Sequence, residues 1–322
     1  MPTARTTLTT QPAPTGDRSA RVRGAMYGHL VGDAMGVPYE GSGPDGIGTV
    51  EVRGGGRHGQ PPGTWSDDGA LMLALADSLA TVGFHPRDQG KRALVWVDLG
   101  AYTPDGDGAF DIGGATSRAL VRLRAGVDAI KAGGTEERDC GNGSLMRILP
   151  IALWDDDADN ATLIERAHVA SRVTHGHPRC EVTCALYVLI ARALLCGQAN
   201  ASAALDASVE RLQADTYVGR PEMERALGEL VTHRSTPGVR WGRAYVLDAF
   251  WSAWEAFALS GSYAECVERA ISYGHDTDTT AAIAGGLAGI VYGVDGIPNE
   301  WLHALRGRTI VEDIAARLAA HS

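Results

Sequence analysis

Apolar positions recur at helical spacing along most of the chain. They predict helices over 21–36, 69–82, 162–174, 180–197, 201–213, 220–232, 243–259, 263–273, 279–293 and 309–320. The stretch GALMLALADSLATVG (69–83) is representative, with Gly83 placed to end the helix. Strand-like alternation is limited to IGTVEVR (47–53), and Gly/Pro-rich loops fill 41–64 and 103–114. No repeat of fixed length and no linker interrupts this pattern, so the expectation is one all-α domain over 21–322, a compact single-domain helical bundle. Residues 1–20, rich in Thr, Pro, Ala and Ser, read as a disordered tail without the apolar core of a secretory signal.

A second periodicity lies on top of the first. Gly24, Gly28, Gly32 and Gly36 recur every four residues, as do Ala281, Gly285, Gly289 and Gly293. Glycine inside a helix costs about 0.5–1 kcal/mol relative to alanine, so two such stripes need a compensating gain. Small residues at this spacing let two backbones approach closely. The two helices are therefore expected to cross tightly, carrying Asp33 and Glu40 towards Asp276 and Asp278.

Composition narrows the partners. The 322 residues are 44% hydrophobic and 21% charged, as in ordinary globular proteins. A formal charge of −10 argues against extended nucleic acid or an anionic membrane, though not against a nucleotide-sized ligand. The longest apolar run, Ala281 to Val291, is far short of the roughly 18 residues of a membrane span. Five irregularly spaced cysteines suit reduced thiols in a cytoplasm.

The negative charge is concentrated. Trp65-Ser66-Asp67-Asp68 and Asp276-Thr277-Asp278-Thr279-Thr280 each place two carboxylates and neighbouring hydroxyls at the mouth of an apolar helix. Capping explains either motif alone; both together point to metal. Oxygen ligands without thiolates select hard cations such as Mg²⁺, Mn²⁺ or Ca²⁺. Four carboxylates balance two divalent ions, with Ser66 and Thr279 able to add neutral oxygens. Other patterns carry less. Gly41-Ser42-Gly43-Pro44-Asp45-Gly46 has no strand before it and so is no dinucleotide loop. His175, His177, Cys180 and Cys184 lack a usual zinc spacing, and both cysteines share an apolar helix face. Trp241, Trp251 and Trp254 are expected to pack a helix interface.

These separated motifs, in this order, resemble the ADP-ribosylglycohydrolase family from about Arg21 to Gly293. The matching pieces are Gly32 to Glu40, Trp65 to Asp68, Phe110 to Gly113, Gly141 to Arg147, Thr174-His175 and Asp276 to Thr279. The resemblance implies an all-α fold with a dinuclear Mg²⁺ or Mn²⁺ centre in a cleft, and ADP-ribosylated molecules as substrates. It implies Ser66, Asp67, Asp68, Asp276, Asp278 and Thr279 as ligands, and Glu40 and Asp111 as catalytic groups. Asn142, Gly143, Ser144 and His175 become substrate contacts. Three positions depart from the family pattern: Gly69 where threonine is usual, Gly114 where asparagine is common, and His275 where glycine is common. Two rival readings use the same residues, a non-catalytic ADP-ribose receptor or structural relative and a two-metal phosphohydrolase cutting the diphosphate. No motif encodes the acceptor.

Overall fold

The structure, a computed structural model, describes residues 11–106, 108–155, 157–234 and 240–320. Its α-helices are α1 (Arg18–Gly36), α2 (Asp67–Val82), α3 (Pro86–Leu99), α4 (Gly114–Arg124), α5 (Pro150–Leu153), α6 (Asn160–Arg172), α7 (Pro178–Leu195), α8 (Ala201–Arg211), α9 (Pro221–Arg234), α10 (Val246–Ala258), α11 (Tyr263–Ser272), α12 (Thr277–Tyr292), α13 (Asn299–Ala304) and α14 (Arg308–Ala319). The described residues contain no strand, so the chain is all-α. Each helix expected from periodicity is present within a few residues. None of these helices is long and apolar enough to cross a membrane.

The segment 47–53 forms no strand. The Tyr39 hydroxyl accepts from the Glu51 N–H at 2.9 Å and lies 3.2 Å from the Thr49 carbonyl, serving this backbone where a neighbouring strand would have done so. Ile47, Val50 and Val52 still rest against the core, which accounts for the alternation. The segment 1–20 expected to be a disordered tail is ordered from Gln11 onward. Residues 1–10 lie outside the described residues, but Gln11 is buried, donating to the Phe257 carbonyl and accepting from Tyr292. Asp17 then caps α1 by accepting from the Ala20 N–H.

At the centre, α1 and α12 run antiparallel along the glycine seam. A Cβ on Gly24 would stand 2.3 Å from the Gly289 carbonyl oxygen, one on Gly28 2.4 Å from that of Gly285, and one on Gly32 2.2 Å from that of Ala281. These distances lie inside van der Waals contact and the obstructing atoms are backbone. No side chain fits, and the expected close crossing is what the two stripes produce. Tyr263 reinforces the seam by donating to the Gly28 carbonyl. The last seam position, Gly36, packs on the backbone of Asp278, so backbone contact continues to the point where the acidic motif begins.

Candidate active site

Each acidic motif is fixed by a different device. At the start of α2, Ser66 is a conventional N-cap whose hydroxyl faces the Asp68 N–H at 3.3 Å. Asp33 of α1 is fully buried and accepts from the N–H groups of Ser66 and Gly69, tying this helix mouth to the seam. At the start of α12, by contrast, Asp276 makes no side-chain cap. Thr277 and Thr280 are occupied structurally, donating to the carbonyls of Gly36 and Asp276. That leaves Asp276, Asp278 and Thr279 facing the other acidic mouth.

The two mouths meet. Thr279 donates to Asp68 Oδ2 at 3.2 Å across 211 positions of sequence, and Ser66 donates to the same oxygen at 3.1 Å. Asp67, Asp276 and Thr279 line a cleft of about 520 Å³, and Asp68 and Asp278 are buried beside them. Burial, then the charge of neighbouring carboxylates, pushes Asp67, Asp68 and Asp278 far above the usual range. Burial also raises Asp276, against the pull of Asn142. Asp33 is raised to about 7, chiefly by burial. Two buried oxygens, Asp68 Oδ1 and Asp278 Oδ2, have no hydrogen-bond partner at all. Buried, unpartnered carboxylate oxygens are costly to ionise unless a cation meets them. Capping accounts for Ser66 but not for these oxygens, and an all-oxygen donor set of this charge fits hard divalent ions.

The remaining expected residues divide. Glu40 and Asp111 both reach the cleft, Asp111 from a left-handed backbone with φ of 59°. Asp111 is pushed up to about 6 by burial and then by the charge of Glu40. Asn142 and Gly143 line the cleft, and Asn142 donates to Asp276 Oδ2 at 2.8 Å, so it also orients an expected ligand. His175 closes the wall behind Gly143 and is pushed down to about 3 by burial and then by Arg147, which keeps the ring neutral. Ser144 does not join them. Its side chain is fully buried, taking the Ser171 hydroxyl at 2.9 Å and facing Cys184 at 3.5 Å.

The three departures sit in different surroundings, and only Gly69 has a steric reason. A Cβ on Gly69 would lie 2.6 Å from Leu30 Cδ2 and 2.8 Å from the Trp65 indole, so a threonine has no room here. Gly114 faces only the flexible end of Arg118. His275 adopts φ of 62°, held by two backbone hydrogen bonds, its N–H to the Ser42 carbonyl and its carbonyl from the Gly41 N–H. Trp251 and Trp254 are buried in α10 as expected. Trp241 is not; it is 47% exposed, between Arg243 and His275 at the cleft rim, because it sits on the loop before α10.

Sequence reasoning passed over His58. Its Nε2 contacts Glu40 Oε2 closely and stands 3.5 Å from Asp111 Oδ1. It lies in a Gly-rich loop with no periodicity to mark it. Arg57, Arg118, Arg138 and Arg243 form a cationic rim over the acidic floor. A larger groove, about 890 Å³ between α7 and α9, is lined by Arg–Glu pairs such as Arg179–Glu229 and Arg172–Glu181.

The family model for ADP-ribosylglycohydrolases matches residues 14–322. The chain belongs to the ADP-ribosylglycohydrolase family. Members of this family are enzymes, and its curated relatives include an ADP-ribosylarginine hydrolase, Tri1, from Pseudomonas putida, 31% identical over 92% of this chain and 77% of the relative. The ADP-ribosyl-[dinitrogen reductase] glycohydrolase of Rhodospirillum rubrum is 28% identical over 88% of this chain and 90% of its own length. A solved ADP-ribosylglycohydrolase-related protein complex superposes with a TM-score of 0.77 at 34% identity, covering 95% of this chain and 99% of that one. The all-α architecture described above is therefore this ADP-ribosylglycohydrolase's family fold.

Proposed function

We propose that this ADP-ribosylglycohydrolase is a divalent-cation-dependent hydrolase that releases ADP-ribose from ADP-ribosylated protein, with arginine as acceptor. One observation carries the reading: the buried Asp67, Asp68 and Asp278 and the half-buried Asp276 gather at one cleft, with two of their oxygens unpartnered. Ser66, Asp67, Asp68, Asp276, Asp278 and Thr279 would hold two Mg²⁺ or Mn²⁺ ions. When bound, such ions supply Lewis-acid orientation of the ribose hydroxyls and a readily ionised water at neutral pH.

The chain's own residues do the rest. Glu40 faces the cleft as the base that takes a proton from the attacking water. Asp111, held up to about 6, is the group that carries a proton to the departing nitrogen. Water oxygen bonds to the anomeric carbon as the bond to the acceptor nitrogen breaks, and the positive charge that builds on the sugar sits over the acidic floor. The Arg rim and the glycines at 141 and 143 suit the diphosphate. Arginine is favoured because two relatives aligned over most of this chain, from Pseudomonas putida and Serratia proteamaculans, are named ADP-ribosylarginine hydrolases. Five free cysteines suit a reducing cytoplasm.

The test presents ADP-ribosylated arginine, serine and DNA with Mg²⁺, Mn²⁺ or EDTA, followed by mass spectrometry. Free ADP-ribose from the arginine substrate, lost with EDTA, is expected. Release from serine or DNA alone overturns the acceptor. AMP as product supports the phosphohydrolase reading, and binding without release the receptor reading.

A further inference from the structure

We infer that His58 is a positioning residue that links Glu40 to Asp111 through one ring nitrogen, fixing both carboxylates as a working pair on the cleft wall. The inference rests on the proposed glycosidic hydrolysis.

The geometry is specific. Nε2 is the atom that meets both groups, in close contact with Glu40 Oε2 and 3.5 Å from Asp111 Oδ1, and the ring nitrogen and the two carboxylate oxygens lie within 4.8 Å of one another. The second Glu40 oxygen is held independently by Arg57 at 3.2 Å, so neither oxygen of that carboxylate is free to swing. The imidazole is packed rather than loose. Its side chain is 15% exposed, and its ring centroid lies 5.2 Å from that of Phe110. Phe110 is the residue before Asp111, so the same short loop supplies the carboxylate and the face on which the ring rests. His58 does not line the cleft, whereas Glu40 and Asp111 do. It touches the two reacting groups from behind and leaves the substrate's space clear.

Without this link, two acidic groups on separate loops would repel and turn apart, and Asp111 would leave a backbone conformation that L-residues rarely adopt. A shift of about 1 Å in a reacting group costs on the order of a hundredfold in rate. Ground-state binding of ADP-ribose is carried elsewhere, by the cation centre, the Asn142–Gly143 loop and the Arg rim. Loss of His58 should therefore reach kcat and spare affinity.

The test compares wild type, H58A and H58Q. In H58A, kcat on ADP-ribosylarginine should fall about ten- to a hundredfold, while ADP-ribose affinity by calorimetry in Mn²⁺ stays within about twofold of wild type. H58Q keeps one N–H donor of similar reach and should recover part of the loss; it also serves if H58A does not fold. A second arm uses no activity. In the metal-free protein, the long-range ¹H–¹⁵N correlation of the His58 ring, assigned by its absence from H58Q, should move in both E40Q and D111N. Unchanged kcat in H58A, a parallel loss of kcat and affinity, no recovery in H58Q, or a ring signal that moves in only one carboxylate variant or in neither overturns the inference. If wild type releases no ADP-ribose from any substrate, the proposed function has failed, and the ring signal alone decides whether His58 joins the two carboxylates.

Discussion

The groove between α7 and α9 and the cleft at the mouths of α2 and α12 both hold many charged side chains, with opposite electrostatics. In the groove, Arg179 pairs with Glu229 and Glu137, and Arg172 with Glu181, so these charges are met within the fold. In the cleft floor, carboxylate faces carboxylate, and two oxygens have no partner. The groove is the larger of the two, yet unbalanced charge is what sets the cleft apart as the candidate active site, because gathered buried carboxylates are costly unless something outside the chain completes them.

Removing one of the unpartnered oxygens tests that contrast most severely. Asp278→Asn should lower kcat/KM roughly a thousandfold, the several kcal/mol a cation contributes. The same variant, melted in EDTA, should be at least as stable as wild type because a repulsive charge has gone. A metal-free variant that melts well below wild type would show that Asp278 is structural.

Next in size is the seam that brings the mouths together. Gly28→Ala puts a methyl group 2.4 Å from a backbone oxygen that cannot move aside. We expect a loss of about 3 kcal/mol in denaturant unfolding. A loss under about 1 kcal/mol would mean that the helices slide apart freely. Asn142→Ala removes the donor to Asp276 and should weaken Mn²⁺ binding, read by calorimetry, about ten- to a hundredfold with little change in melting.

Acidity gives a finer probe. A carboxyl whose pKa rises on folding is protonated in both states below about pH 4. Its ionisation then opposes folding increasingly as pH climbs towards the folded value, about 7 for Asp33 and about 6 for Asp111, with Asp67, Asp68 and Asp278 raised in the same direction. EDTA-treated protein should therefore melt lower at pH 8 than at pH 5. Mn²⁺ should raise the melting temperature more at pH 8 than at pH 5, because fewer protons must leave the carboxyls when the ion binds. A metal-free melting temperature that rises over this interval contradicts the cleft electrostatics. The smallest effect belongs to the groove: Arg179→Ala should cost no more than about 1 kcal/mol of stability and leave kcat unchanged.

Much of this was legible in the residues. The glycine stripes announced a backbone-to-backbone crossing, and the paired acidic motifs announced that two helix mouths meet at its end. Long helices with one apolar face announced themselves too. Helices α3 and α4 escaped because their buried faces are built largely from small or polar residues, Gln89, Gly90 and Ala93 in one and Ala115, Thr116 and Ala119 in the other, while the large apolar Leu99 and Val121 stay exposed. Segment 47–53 misled because alternation reports which side chains are buried and is silent on whether the backbone finds a strand or a tyrosine. Ser144 looked like a ligand contact within a Gly/Asn turn, but which way a turn points is settled by its tertiary neighbours. His58 had no local signal, since its meaning lies in two carboxylates from other loops.

The two halves of the cleft floor come from residues 66–68 and 276–279, and Thr279 and Asp68 stand 211 positions apart. During translation, Asp67 and Asp68 emerge long before α12 exists, and α1 has no glycine face to close upon. The nascent polypeptide therefore cannot assemble its reaction centre piecemeal. A ribosome stalled before residue 276 holds a chain that lacks Asp276 and Asp278, two of the four carboxylates at the cleft floor, so the proposed cation site is completed late in synthesis.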